Sequence, residues 1–230
     1  MNNKPETLYL FPTIIYRNYL DASVYKEMFN NKLDQYDFVS TDDVLTGEIL
    51  GRSDIHHVDQ FKPFYQEITI NAYQYLNALG VDYELFDLYV TKSWLSIIDK
   101  PDYHMKSHSH TVSDISFVYY LNVPENADAI SFSNMNLPNA LFHDLLNQER
   151  PNNFVKQVLP SNFNSFFIVP TEGTLIMFPG KQVHGTVPNP SGLPQSGKRV
   201  AIVGDINLYL KPGLTGYESG RVAIEHMRKF

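Results

Sequence analysis

The feature that most constrains the fold is a series of short apolar stretches, separated by turn residues, between Tyr83 and Leu208. Short stretches rich in Val, Ile and aromatic residues are typical of β-strands. The predicted strands lie within residues 85–98, 116–121, 129–132, 166–169, 174–178 and 200–208. Many short strands in succession favour a β-sandwich or jelly roll.

Two helices are predicted before this series. Residues 61–79 place apolar side chains along one helical face, and Gly80 follows as a stop signal. Residues 21–36 show a weaker helical spacing, with Asp21 as a cap. Residues 9–16 are apolar but contain Pro12, which suits an edge strand. The expected fold class is mainly β: a double-stranded β-helix (jelly roll) with flanking N-terminal α-helices.

We expect residues 1–230 to form a single domain, because all-β units commonly run to roughly 200–250 residues. Its expected parts are a helical N-terminal flank (1–82), a jelly-roll core (83–210) and a C-terminal tail (211–230) with a weak helix near 222–227.

Two polar segments interrupt this plan. Residues 39–59 are expected to form a loop, and residues 134–164 an irregular insertion with a short helix near 140–146. Loops of this kind vary while the scaffold stays, so both are candidate lids or specificity elements.

The chain contains no cysteine, which excludes disulfides, thiolate zinc sites and cysteine nucleophiles. A metal ion would be held by His, Asp, Glu or carbonyl oxygen, which favours Fe(II), Mn(II) or Zn(II) over thiophilic ions.

The formal net charge of −7 argues against nonspecific binding to nucleic acid or to an anionic membrane. The N-terminal segment is a poor signal peptide, and no apolar stretch approaches the ~18 residues of a membrane span. We therefore expect a cytoplasmic protein, in the host cytoplasm if phage-encoded. The substrate and the oligomeric state, including a homo-oligomer, stay open.

Three of the eight histidines are candidate metal ligands. His108 and His110 precede the strand at 116–121, and side chains at i and i+2 share one face of an extended segment. His184 follows the strand at 174–178, and a sheet that folds back on itself can carry it to the same point. Three ligands leave coordination positions for a chelating cosubstrate and for oxygen.

Each of these signals has an ordinary explanation as well. His-x-His often arises by chance, and a lone histidine after a strand is weaker evidence still. His104 is expected on the approach loop, and His56 and His57 are expected to be solvated. His143 and His226 fit no pattern.

Four blocks of sequence, in order, resemble the 2-oxoglutarate/Fe(II) oxygenase family found in bacteria and tailed phages. They are LYLFPTIIY; SWLSII with HSH and SDISFVYYLNVP; GTLIMFPGKQVHGTVP; and KRVAIVGDIN. The resemblance runs from about Leu8 to Asn207. It implies a dioxygenase, by default a hydroxylase, with Fe(II) as the metal and 2-oxoglutarate as the cosubstrate.

The resemblance also implies site residues. His108 and His184 would bind iron, and His110 falls where most such enzymes place the Asp of His-x-Asp. This departure puts the third ligand in doubt. We favour His110, with Asp114 as the reserve ligand or as a partner that orients a histidine.

Arg199 would hold the far carboxylate of 2-oxoglutarate, because a guanidinium binds a carboxylate bidentately. Tyr120 shares a strand face with His108 and His110, and in the related prolyl hydroxylases the equivalent tyrosine binds the cosubstrate carboxylate. Ser116 would line the same pocket. Lys198 is expected on the strand face opposite to that of Arg199, and Tyr119 on the face opposite to that of Tyr120. Trp94 is expected to be a packing residue.

Two other functions fit the same residues. A cupin-type enzyme can use a histidine-rich site without 2-oxoglutarate, and a jelly roll can be a non-enzymatic structural or binding module. Arg199 separates the oxygenase from both alternatives, since neither of them needs a cation that binds a carboxylate at this position.

Overall fold

The computed structural model describes residues 12–33, 54–98, 104–134, 156–157, 159, 162–212 and 228–229. The expected helices near 140–146 and 222–227, most of the segments 39–59 and 134–164, and His143 and His226 lie outside these residues.

Two antiparallel sheets form the described core. The larger sheet has six strands in the order β1–β6–β3–β8–β2–β9, and the smaller has three in the order β5–β4–β7. The strands are β1 Tyr16–Tyr19, β2 Phe86–Ile98, β3 Ile115–Asn122, β4 Ala129–Ser133, β5 Ser165–Ile168, β6 Thr174–Pro179, β7 His184–Val187, β8 Arg199–Leu210 and β9 Arg228–Lys229. Strands adjacent in sequence mostly pair with distant ones, as in a jelly roll.

Two helices precede β2: α1 spans Ala22–Leu33 and α2 spans Lys62–Ala78. The helix predicted at 61–79 is confirmed to within a residue, and Gly80 follows it with φ +73°. The strand expected at 9–16 is shifted, because it begins at Tyr16, where pairing with Met177 of β6 starts. Pro12 cannot donate a ladder hydrogen bond.

The larger sheet buries both of its faces. On one side, α2 contributes Phe64, Tyr65, Ile68, Ala72 and Tyr75 to a core shared with Phe117, Tyr119 and Ile202. On the other side, between the two sheets, lie Trp94, Val118, Tyr120, Ile176, Phe178, Ala201 and Val203, with Ile130 and Phe132 from the smaller sheet. A strand buried on both faces reads as continuously apolar.

Strand alternation decides which side chains enter the space between the sheets. Tyr120 lies there, whereas Tyr119 packs against the rings of Tyr25 and Phe64 on the helical side. A bulge between Val90 and Lys92 reverses the alternation in β2, so Trp94 also faces the space between the sheets.

One expectation about the polar loop is wrong. His56 lies in a short 3₁₀ turn, Ile55–His57, and is only 1% exposed, whereas His57 is exposed. The turn packs near α2, and the ring of His56 lies 6.2 Å from that of Tyr65. The polar composition of the segment concealed this contact.

Candidate metal centre and cosubstrate pocket

His108, His110 and His184 meet at one point between the sheets. One ring nitrogen from each lies within 4.8 Å of the others. Backbone pairing brings two of them together: the amide of His108 donates to the carbonyl of His184 at 2.9 Å, and the amide of His184 donates to the carbonyl of His108 at 2.9 Å. His184 is therefore the first residue of a strand, β7, which the sequence pattern did not predict.

Each of the three imidazoles has an acceptor at Nδ1. His108 Nδ1 lies 2.9 Å from the carbonyl of Lys106, and His184 Nδ1 lies 2.9 Å from that of Gln182. His110 Nδ1 lies 2.6 Å from Oδ1 of Asp205. A carbonyl or carboxylate oxygen accepts, so Nδ1 carries the hydrogen and Nε2 keeps a free lone pair. Hydrogen bonds at the second nitrogen commonly orient metal-binding histidines in this way.

Burial keeps two of these histidines neutral. Desolvation lowers the pKa of His184 to about 4, and it also lowers the pKa of His108. Only a neutral imidazole can donate a lone pair to a metal ion. Three preoriented imidazoles and no thiolate fit a divalent ion such as Fe(II).

Asp114, the reserve ligand, is placed differently. Its Oδ2 accepts a hydrogen bond from the amide of Leu208 at 3.0 Å, and it does not join the histidine group. The carboxylate nearest to the ligands is instead Asp205, which the sequence reasoning missed. The available signal was an acidic residue inside the apolar strand 200–208, at a position that alternates with Arg199.

Ser116 also contacts this carboxylate. Its hydroxyl donates to Oδ1 of Asp205 at 2.8 Å and lies 3.1 Å from Nδ1 of His110. The register of the sheet explains the contact, because Ser116 of β3 pairs with Asp205 of β8. The side chain of Ser116, which was expected to line the cosubstrate pocket, therefore lies beside one of the candidate metal ligands.

Arg199 is 3% exposed and begins β8 on the face that looks into the space between the sheets. One guanidinium nitrogen donates to the carbonyl of Asp128 at 2.8 Å, and the guanidinium carbon lies 5.9 Å from the ring centre of Tyr120. Among the described residues, no carboxylate forms an ion pair with Arg199. The carboxylate of Asp128 is held by Nδ1 of His104 at 2.7 Å.

Tyr120 is 2% exposed, and burial raises the pKa of its phenol to about 12, with Arg199 partly opposing the shift. The hydroxyl stays protonated at neutral pH and can donate a hydrogen bond. No described residue accepts it. Trp94 packs here as expected, with its ring 5.8 Å from that of His110.

Comparison with known structures supports the fold. A Pseudomonas putida prolyl-4-hydroxylase matches with a TM-score of 0.53 and 12% identity, over 85% of this chain and 92% of that one. The 2-oxoglutarate-dependent epimerase SnoN from nogalamycin biosynthesis matches with a TM-score of 0.58 and 10% identity, over 94% and 93%. HygX from Streptomyces hygroscopicus, determined with nickel, 2-oxoglutarate and hygromycin B bound, matches with a TM-score of 0.54 and 12% identity, over 85% and 83%.

No protein of curated function matches the sequence. A family model does match residues 92–204, and its description is "Putative 2OG-Fe(II) oxygenase". The matched segment contains the three histidines, Asp205 lies one residue beyond it, and Arg199 and Tyr120 lie within it. Fe(II) and 2-oxoglutarate are the metal and the cosubstrate of that family. Residues 92–204, which supply most of the jelly-roll core and all three histidines, thus match the model of the 2OG-Fe(II) oxygenase family.

Proposed function

We propose that this protein is an Fe(II)- and 2-oxoglutarate-dependent hydroxylase in which His108, His110 and His184 hold the metal. The observation that carries the proposal is the common arrangement of the three imidazoles, with each Nδ1 on an oxygen acceptor and the remaining nitrogens directed to one point. With iron and cosubstrate bound, the family's chemistry would use dioxygen: one oxygen atom enters succinate as 2-oxoglutarate loses carbon dioxide, and the other hydroxylates a substrate.

Arg199 and Tyr120 would bind the far carboxylate of the cosubstrate. A buried guanidinium without a carboxylate partner among the described residues is costly, so it favours an anionic ligand. The phenol of Tyr120 adds a neutral donor beside it. Both groups lie on inward faces of neighbouring strands, where Tyr120 of β3 is paired with Ala201 of β8.

The space between the sheets is largely apolar around these two groups. Val118, Ile176, Phe178, Ala201 and Val203 surround the two polar groups with apolar surface. In such surroundings a charge–charge contact is stronger than it is in water. An elongated dianion would be held at its keto-acid end by the metal and at its other end by Arg199.

The experiment that tests this function is an anaerobic titration of the metal-free protein with Fe(II) and then with 2-oxoglutarate. We expect a weak visible charge-transfer band that requires both partners. His108→Ala, His110→Ala and His184→Ala should each lose specific Fe(II) binding, and Asp114→Ala should retain it. Loss in the Asp114 variant with retention in the His110 variant would overturn the assignment of the third ligand.

The same titration separates the main alternative. If the parent protein binds Fe(II) but not 2-oxoglutarate, a cupin-type enzyme becomes the better account, because such an enzyme can use a histidine-rich site without 2-oxoglutarate. If it binds neither, the enzymatic proposal fails.

A further inference from the structure

His110 differs from the other two candidate ligands in the hydrogen-bond acceptor at its Nδ1 atom. His108 and His184 donate from Nδ1 to backbone carbonyls, whereas His110 donates to the carboxylate of Asp205 at 2.6 Å. A charged acceptor makes a shorter and stronger hydrogen bond than a neutral one. It also increases the basicity of the imidazole, and so its strength as a metal ligand.

Asp205 is a buried carboxylate without an ordinary countercharge. It is 5% exposed, and its contacts are the ring of His110 and the hydroxyl of Ser116. Among the described residues, no lysine or arginine forms an ion pair with it. A buried charge persists when a nearby opposite charge compensates it. A divalent ion on the other side of the His110 ring would supply that charge.

The contact between Asp205 and His110 matters because His110 stands where related enzymes have a carboxylate ligand. Two histidines and one carboxylate are the usual facial ligands of non-haem Fe(II) oxygenases, and here an imidazole stands in place of the carboxylate. Three neutral imidazoles alone would leave the dication without a protein anion. The only carboxylate that contacts any of the three, within the described part of the chain, is Asp205.

We propose that Asp205 is a positioning residue that supplies, through His110, the negative charge which a directly bound carboxylate would give the metal. The inference rests on the proposed function, because it takes the three histidines as ligands. Ser116 assists by donating to the same carboxylate oxygen and fixing its direction. Asp205 itself does not bind the metal, since it is absent from the group of converging ligand atoms.

The test is Asp205→Asn, which keeps the shape and an oxygen acceptor but removes the charge. Co(II) replaces Fe(II) as the probe, because its visible spectrum reports on the ligands and it is stable in air. We expect Co(II) affinity to fall by roughly 10- to 100-fold, with shifted ligand-field bands. Ser116→Ala, which keeps the charge, should show a smaller loss in the same direction.

Asp128→Asn is the matched control. Asp128 is also a buried carboxylate that accepts a hydrogen bond from a histidine, His104, outside the metal group. This variant should bind Co(II) like the parent. Thermal unfolding of the metal-free proteins separates a merely structural role, which would lower stability and leave the Co(II) spectrum unchanged.

The outcomes distinguish the two proposals. If the parent binds no Co(II) or Fe(II), the proposed function fails and the inference fails with it. If the parent binds Co(II) and Asp205→Asn matches it in affinity and spectrum, only the inference is overturned. Should Asp205→Asn not fold, Ser116→Ala decides: unchanged Co(II) binding in that variant overturns the role of Asp205.

Discussion

The buried guanidinium of Arg199 has few polar contacts within the described part of the chain. The guanidinium of Arg199 uses one nitrogen on a backbone carbonyl and faces the ring of Tyr120, with no carboxylate partner among the described residues. An anionic ligand would complete these contacts. The neighbouring Lys198 is exposed, so the chain offers two adjacent cations in opposite environments.

Arg199→Ala should weaken 2-oxoglutarate binding while leaving Fe(II) binding nearly unchanged. Removing one partner of a buried charged pair costs about 2–5 kcal/mol, so a loss of at least tens-fold is expected. Arg199→Lys should recover only part of it, because an ammonium cannot bind bidentately. Anaerobic titrations measure both affinities. Lys198→Ala is the control, and an equal effect in the two alanine variants would contradict the assignment.

The sequence was informative about residues whose chemistry depends on local spacing. The shared face of His108 and His110 followed from their separation of two. The place of Arg199 on the last core strand, after His184, was instead expected from the family resemblance. Asp205 could not be found this way. Its contact with His110 depends on the pairing of Ser116 with Asp205, a register that bulges and long connections set.

At the scale of elements, the metal centre is a junction between two segments that are far apart in sequence. The segment at 104–108 runs beside β7, with hydrogen bonds from Thr186 to Met105 and between His108 and His184. Gly185 lies inside this junction. A Cβ atom at Gly185 would approach the carbonyl oxygen of Met105 to 2.9 Å and the amide nitrogen of Ser107 to 3.1 Å.

Gly185→Ala should therefore separate the two segments and weaken metal binding. The atoms in the way belong to the backbone, so relief requires the segment that carries His108 to move. Overpacking of this kind typically costs about 1–3 kcal/mol of stability. Thermal unfolding and Co(II) titration measure the two effects. Gly197→Ala is the control, because its Cβ would meet only Pro124 at 3.5 Å. Equal behaviour of the two variants would argue against a close junction.

Elements were predicted well where pattern and length agreed. The α2 helix and the strands β3, β4 and β6 were expected nearly as they occur, because their apolar residues recur at helical or strand spacing between clear turn signals. The strand β7 was missed because it is four residues long and begins with a polar histidine. Its strand geometry comes from pairing with β4, which is a tertiary contact.

At the scale of the whole molecule, the helices cover one face of the larger sheet and the smaller sheet covers the other. The candidate metal ligands lie on the second side, where the ring of His184 contacts those of Phe132 and Phe178. Building the site inside the core requires histidines to be buried in their neutral form.

Among the described residues, no helix has the length and apolar character needed to cross a membrane.

The metal-free protein should lose stability as the pH falls from about 6.5 towards 4. The pKa of His184 is lowered to about 4 by burial, so in this range the unfolded chain binds a proton that the folded chain does not. Stability from this group is complete above about pH 6.5 and declines below it. The full difference in the free energy of unfolding is about 3 kcal/mol. Urea unfolding at several pH values measures it.

His184→Gln provides the comparison for this pH dependence. Carboxylates also titrate near pH 4, so the difference between parent and variant isolates the histidine. The stability of the parent should fall more steeply than that of the variant between pH 6.5 and 4.5. Parallel curves would mean that His184 is not buried as a neutral group.

The pairing of His108 with His184 joins the two ends of a long loop of the chain. A metal ion held by both residues would close a long loop, which contains β3 to β6, with a bond stronger than two amide hydrogen bonds. Folding already brings the two ends of this loop together, so an ion that binds only the folded chain adds stability without a further entropic cost of loop closure. Loading would thus act as a reversible cross-link, adding about 2.7 kcal/mol at a hundred times the dissociation constant. The ion that serves the proposed reaction would then also hold the segment at 104–108 against β7.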